Sequence, residues 1–350
     1  MAISYSEKLI INIIMSIIVC VSIQAANAAP VINNVSGTLE HNGTVTISGS
    51  NFGTKTQPAP LLYDSVDNQE SYATLQDGET IPTSSEYIWS ENKDNNVKFS
   101  KSRPTRHKYS TAQYHAEEAR SYLAWPYKLG VRENIPERNT LYVSWYFLTD
   151  TDPASEGGSN KFIRIWDDYN GNATRISWTQ MHETYNSNGG LIYSGNAWGG
   201  KIGQWNRMEV LVDASNHIIK SWTNGKLIHN ITNFYKVTSN QGLSIYVMGF
   251  DHNLNGYQNM SIDFDEIYAD STQARVEIGD APTWQTTSHR EIQLPSQWSD
   301  TDLTITIKQG TLNDISKSYL YVVDADGKVN EQGYPLCTTC PKSPAGVSAR

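Results

Sequence analysis

Cysteine and helix-forming pattern are the two things this chain nearly lacks. Of three cysteines, Cys20 falls inside an apolar run, which leaves Cys337 and Cys340 in "CTTC". Two thiolates with no neighbouring Cys/His pair do not complete a zinc site. A redox dithiol would open a helix after a strand, whereas Pro341 and a Ser/Gly-rich tail follow here. The expectation is a local Cys337–Cys340 disulfide or a tail loop without chemistry. Positive charge is also short: 27 Lys and Arg against 36 Asp and Glu leave a net charge of −9. That balance argues against a general nucleic-acid binder. Only one long apolar run exists, "LIINIIMSIIVCVSI" after Lys8, followed at once by "QAANA". It is short for a membrane span, and Ala26-Asn27-Ala28 fits a small-x-small cleavage site, so residues 1–28 read as a secretory signal. The expected location is secreted, extracellular or periplasmic, with no membrane partner after cleavage. Phe is scarce at 7, while Tyr reaches 20 and Trp 10. Tyr and Trp combine an apolar face with a polar edge, which suits sandwich cores and surfaces that stack on sugars.

What is present is β-pattern almost throughout. Alternating or β-rich runs recur at 140–150, 160–168, 174–182, 207–215, 218–230, 243–251 and 260–270, divided by Asn/Gly/Asp/Ser clusters that supply positive φ cheaply. "TNGK" (223–226) is an Asn-Gly hairpin turn. One or two turns of helix fit only in "YSTAQYHAEEARSYLAW". Strands at this spacing without intervening helices predict an all-β chain of sandwich or jelly-roll type.

The ends of the chain share a texture. "VSGTLEHNGTVTISGSNFG" (35–53) is a hairpin closing on Gly, and residues 290–336 carry "WSDTDLTITI" and then "KSYLYVVDADGKVN", a strand pair around Asp-Gly. Together they resemble the two halves of one immunoglobulin-like TIG (IPT) domain. The resemblance implies a discontinuous small sandwich over 29–57 and 287–336, interrupted by 58–286 and followed by a tail, 337–350. Insertion at a loop tip keeps the host's ends close, and either half alone is too small to bury a core. Within the interruption, "GQWNRMEVLVDASNHIIKSWTNGKLIHN" (203–230) and "SIDFDEIYADS" (261–271) resemble the concanavalin-like jelly roll of laminin-G-like lectin modules and polysaccharide lyases. That scaffold hosts lectins, hydrolases and lyases alike.

Alternation in "KFIRIW" sets Lys161, Ile163 and Ile165 against Phe162, Arg164 and Trp166. Counting "RISWTQMH" as one strand puts Ile176, Trp178, Gln180 and His182 on a common face, an expected floor for a sugar groove. A hydrolase needs paired carboxylates across the glycosidic bond; "DFDEI" puts Asp263 and Asp265 on one face and Glu266 on the other. These acids read instead as strand decoration or as ligands of a structural Ca²⁺, with no cofactor required. A lyase needs a carboxylate neutraliser, a base and an acid. "QMH" is similar to the Gln-x-His motif of jelly-roll alginate lyases, which implies Gln180 as carboxylate binder and His182 as base, with Arg164 and Tyr246 as companions. Met248 stands where those lyases place Lys. The basic run "KFSKSRPTRHKY" (98–109) offers Arg103 and Arg106 for a polyanion, and His107 and Tyr109 as alternative base and acid. Lys161, Trp166, Trp178, Tyr193 and Trp198 complete the expected sugar contacts. The expected partner is an acidic, uronic-acid-containing polysaccharide, cleaved by β-elimination or bound without turnover; a structural surface or virion-associated protein is the third reading.

Overall fold

The computed structural model describes residues 28–337 apart from 118–119, 156, 159, 168–173, 181, 188–189, 196–197, 238–241 and 253–256. The expected signal up to Asn27, and Cys340 with its tail, lie outside the described residues. Cys337 is a disulfide cysteine. The described residues form antiparallel strands with only single 3₁₀ turns between them, and no helix among them is long and apolar enough to cross a membrane.

Two sheets build the middle of the chain. The first orders β12 (Gly190–Gly195), β11 (His182–Ser187), β10 (Arg175–Trp178), β9 (Lys161–Trp166), β16 (Ser244–Asp251), β7 (Ser121–Pro126) and β4 (Trp89–Asn92). The second orders β15 (Lys226–Ile231), β14 (Ile218–Thr223), β13 (Asn206–Asp213), β8 (Thr140–Thr149), β17 (Ile262–Asp270), β6 (Gln113–Ala116) and β5 (Lys98–Ser100), with β3 (Leu62–Asp64) added on β17. Alternate residues of both sheets meet in one core that includes Trp89, Trp145, Phe147, Phe162 and Trp178. Trp145 and Phe162 meet the Trp178 ring edge-on at 6.0 and 6.1 Å. Burying such rings is worth roughly 25 cal/mol per Å² of apolar surface, so they fix which face of each strand turns inward. Asn224 and Gly225 both have positive φ, 51° and 76°, the combination a two-residue turn between β14 and β15 requires.

The chain ends share a third sheet, ordered β1 (Val31–Gly37), β2 (Thr44–Ser50), β20 (Asp302–Thr306), β19 (Arg290–Trp298), β18 (Arg275–Gly279), β21 (Tyr319–Val323) and β22 (Tyr334–Pro335). β2 pairs β20 from Thr44↔Thr306 to Ser48↔Asp302. β19 serves both halves of this sheet: Arg290–Gln293 pair β18, while Leu294–Trp298 pair β20. Val45, Ile47 and Phe52 from the N-terminal end bury with Leu303, Ile305, Leu320 and Val322 from the C-terminal end. Trp298 Nε1 donates to the Gly53 carbonyl at 3.2 Å, and Gly53 N donates to Asp300 at 2.9 Å. The boundary at 287 is corrected. β18 belongs to this sheet because Val276 and Ile278 alternate into its core.

The small body covers the outward face of the β8/β13/β17 sheet. Tyr142, Leu211 and Tyr268 pack there against Ile292 and Leu294 of β19. Beside this apolar contact lies a buried ionic lattice. Arg207 reaches Glu277 at 2.8 Å and Glu209 at 3.1 Å, and Arg290 reaches Glu277 at 3.0 Å. Arg106 pairs with Glu291 at 2.8 Å and with Glu266. The second sheet is occupied on both faces, whereas the outward face of the β12-to-β4 sheet is covered toward β16 and β7, where Ile135 and Val131 pack on Trp125, Trp166 and Val247, and is open toward β12 at Tyr193.

Candidate functional site

Register aligns a polar row across that outward face. Tyr193 pairs Thr184, Thr184 pairs Ser177, Ser177 pairs Arg164, and Arg164 pairs Val247. Residues directly opposite share a face, so Tyr193, Thr184, Ser177 and Arg164 stand side by side over four strands. At about 4.8 Å per strand the row is roughly 14 Å long. Tyr193, at 61% exposed, is the most open aromatic on it. One step along, Arg175 pairs Trp166 and its guanidinium lies 4.3 Å from that ring. Trp166 in turn meets Tyr246 at 3.9 Å, with Trp125 behind them. On the other side of the row His182 meets Tyr193 at 5.0 Å.

Positive charge collects here. Arg120 and Arg164 both reach Asp251, at 3.2 and 3.5 Å, and Lys161 is the register partner of Asp251. Strand pairing slips between Met248 and Asp251, which lets Lys161 and Arg164 approach one carboxylate despite their odd spacing. Burial, then the neighbouring Arg164 charge, pulls the Lys161 amine down to about 8. Burial, then the Lys161 charge, lowers His182. Its ring is therefore neutral at pH 7 and able to accept a proton.

Several expected site residues lie elsewhere. β10 ends at Trp178, and Thr179 N donates to the carbonyl of His182, the first residue of β11, at 2.8 Å. "RISWTQMH" is therefore not one strand. Trp178 turns into the core at 0% exposure; Arg175 and Ser177 lie on the other side of β10, with Ser177 7% exposed. Gln180 is buried and donates to the Gly158 carbonyl at 3.1 Å, away from the face. Trp198 is also core, 5.5 Å from Phe162. His182 and Tyr246 sit on β11 and β16 with two strands between them. Three strand spacings, about 14 Å, are too far for base and acid on one sugar, each of which needs roughly 3 Å contacts.

The basic run is spent on structure. Arg103 pairs with Asp263 at 2.9 Å, and Arg106 is buried against Glu291, Glu266 and the Tyr146 ring. His107 Nδ1 accepts from Tyr109 N and Ser110 N, so its Nε2 carries the proton and donates to Glu266 at 2.8 Å. Tyr109 stacks on His41 at 3.8 Å and donates to Gln309 at 2.8 Å. Arg106 and Tyr109 join the chain ends to the middle, Arg103 and His107 brace the middle itself, and the partners of all four lie off the outward face. The "DFDEI" acids are engaged as well: Asp263 by Arg103 and His115, Glu266 by Arg106 and His107. Among the described residues no group of three or more His, Cys, Asp or Glu could hold a metal ion.

Sequence reasoning missed Arg175, Ser177 and Thr184, and it missed Glu183. Glu183 alternates inward opposite Trp178. It is 0% exposed, neither carboxylate oxygen has a hydrogen-bond partner among the described residues, and burial alone raises it to about 8.

Compared with known proteins, the chain matches no family model and no curated sequence. Among solved structures it is similar to an endo-β-1,4-glucuronan lyase from the fungus Trichoderma reesei, at 13% identity over 61% of this chain and 96% of that one, TM-score 0.40. It is also similar to domain 4 of a GH43 extracellular arabinanase from Geobacillus stearothermophilus, at 15% identity over 61% and 93%, TM-score 0.35. An alginate lyase aligns at 9% identity over 56% and 98%, TM-score 0.31. Likeness at this level transfers no role to any residue, so the functional reading rests on the face itself.

Proposed function

We propose that the outward face of the β12-to-β4 sheet binds an acidic polysaccharide laid across the strands. The observation that carries this reading is the register-aligned row Tyr193–Thr184–Ser177–Arg164, flanked by Arg175. An aromatic ring stacks on a pyranose face. The hydroxyls meet sugar hydroxyls, and guanidinium groups take carboxylates in charge-assisted hydrogen bonds. Local positive charge in a chain of net −9 favours a polyanion at this face and disfavours one elsewhere. The test is affinity electrophoresis with alginate, pectate and hyaluronan against dextran. Retardation by the acidic glycans alone, lost in Arg164→Ala/Arg175→Ala, is expected. Equal retardation of the double variant and the parent would overturn the reading, and retardation by none of the glycans would leave the structural-surface reading.

Turnover is a second reading, favoured by one contact. His182 is neutral and lies beside Tyr193 rather than Tyr246. In a β-elimination His182 would take the C5 proton. The freed electron pair would form the C4–C5 double bond as the C4–O bond breaks, and Tyr193 would protonate the leaving oxygen. Ultraviolet absorbance from unsaturated uronate on incubation with each glycan, abolished by His182→Ala, is the expected sign. Retardation without absorbance growth leaves binding alone.

A further inference from the structure

We infer a second ligand site in the cleft between the two bodies, sized for a single carboxylated sugar unit. The cleft has a volume of about 230 Å³ and takes walls from both sides: Arg106, Trp205 and Gly225 from the middle of the chain, and His289, Arg290 and Thr311 from the C-terminal segment. That volume is below the roughly 300–1,000 Å³ of drug-sized pockets and suits one ring rather than an oligosaccharide.

The wall is rigid and charge-balanced, which narrows the ligand. Arg207 is saturated by Glu209, Glu277, Ser144, Tyr142 and the Arg290 carbonyl. Glu291 is filled by Arg106, His289, Thr311 and Tyr146. Four arginines (106, 207, 275, 290) face four glutamates (209, 266, 277, 291) around it. A polyanion gains nothing from such a wall.

One guanidinium is left over. Arg106 Nε has no acceptor among the described residues, but it is sealed from the cleft, so a ligand there does not reach it. Arg290 is held flat on Trp284 at 3.9 Å and by Nε to Glu277, and its terminal nitrogens lie under the Asn224-Gly225 turn. Gly225 has no side chain there, and an added Cβ would come within 2.9 Å of the guanidinium. The terminal nitrogens of Arg290 make no hydrogen bond among the described residues, with a Glu209 oxygen 4.0 Å away, and one ligand carboxylate would satisfy them. Half-exposed Trp205 supplies the apolar face for the ring, and Ser288 stands exposed at the mouth. The residues are distinct from those of the outward sheet face, so this site stands or falls independently of that reading.

The experiment is isothermal titration of the mature protein with glucuronate, glucose and acetate. Binding of glucuronate at least about fivefold tighter than glucose or acetate is expected, the scale of one ring contact plus one charged hydrogen bond. Trp205→Ala should weaken it about five- to tenfold, and Ser288→Trp should block it. Glucose binding as tightly as glucuronate would overturn the carboxylate assignment. No binding of glucuronate, or binding unaffected by both cleft variants, would overturn the site.

Discussion

Replacing Glu183 by Gln should stabilise the protein at neutral pH and do nothing at pH 4. Its carboxyl lies inside the sandwich opposite Trp178 with no partner on either oxygen among the described residues. Burial is the sole cause raising it from 4.5 to about 8. The sign follows from proton counting. Below pH 4.5 both folded and unfolded chains hold the proton, and Glu183 makes no pH-dependent contribution. Between 4.5 and 8 the unfolded chain releases the proton that the folded chain keeps, so stability falls as pH rises. At pH 7 the gap is roughly 2.5 pH units, which at about 1.4 kcal/mol per unit amounts to about 3 kcal/mol. Gln is close in shape and carries no charge, so it removes this penalty and leaves the rest of the site. His229, lowered to about 4 mainly by burial and then by the His182 charge, adds an opposite slope between pH 4 and 6.5. It does so in both proteins and cancels in the comparison. The assay is urea unfolding by tryptophan fluorescence of parent and Glu183→Gln at pH 4, 5.5, 7 and 8. A stability difference growing from near zero to about 3 kcal/mol by pH 7 is expected. A difference that is flat across pH would refute the buried, unpaired carboxyl.

Removing Arg207 by Arg207→Leu takes from Glu209 and Glu277 one of the counter-charges they share with Arg275 and Arg290 and should cost about 3 kcal/mol in urea unfolding. Its mirror is an acid effect. Arg106 holds Glu291, and Arg207 with Arg275 and Arg290 holds Glu277, well below the usual carboxylate range despite burial. Their stabilisation is present above about pH 4.5 and is lost as pH falls toward their lowered values. Near-ultraviolet circular dichroism should show acid loosening of tertiary packing, with Glu291→Gln blunting it. Asp64→Ala removes the buried carboxylate that Trp89 Nε1 and the Tyr114 hydroxyl share, leaving them only the Tyr114 and Tyr72 hydroxyls, and should cost about 1–3 kcal/mol by thermal or urea unfolding. Tyr193→Ala, at an exposed position, should abolish glycan retardation while shifting the melting temperature by no more than about 2 °C.

The strand content was legible because alternation and Asn/Gly punctuation are local signals, and β14–β15 turns on the Asn-Gly pair that marks it. "WSD" and "NFG" are readable as partners because short, rigid contacts hold them: Trp298 and Asp300 grip Gly53. The candidate face was only half legible. Alternation did set Arg175 and Ser177 against Trp178, but the Trp178 side is the core, and the count was carried to His182 as though the strand continued past Trp178. A strand end with no Gly or Pro after it carries little signal. The basic run was misread for a different reason. Its acceptors, Glu266 and Glu291, lie 160 and 185 residues away from Arg106, and long-range pairing leaves no mark on local composition. Glu183 was invisible because a carboxyl inside a sandwich contradicts the burial preference that any pattern reading relies on.

Because β2 finds its neighbour in β20, the order of synthesis has a cost. The first hairpin emerges from the ribosome with both long edges bare and must wait until residues past 300 are made. A lone hairpin is marginal in water, and exposed edges invite pairing with other chains. The intervening double-sheet body can close on its own meanwhile, and its folding draws the two ends together. Slow steps in refolding should therefore track the late closure of the terminal sheet, and chains interrupted before β20 should be the ones that aggregate.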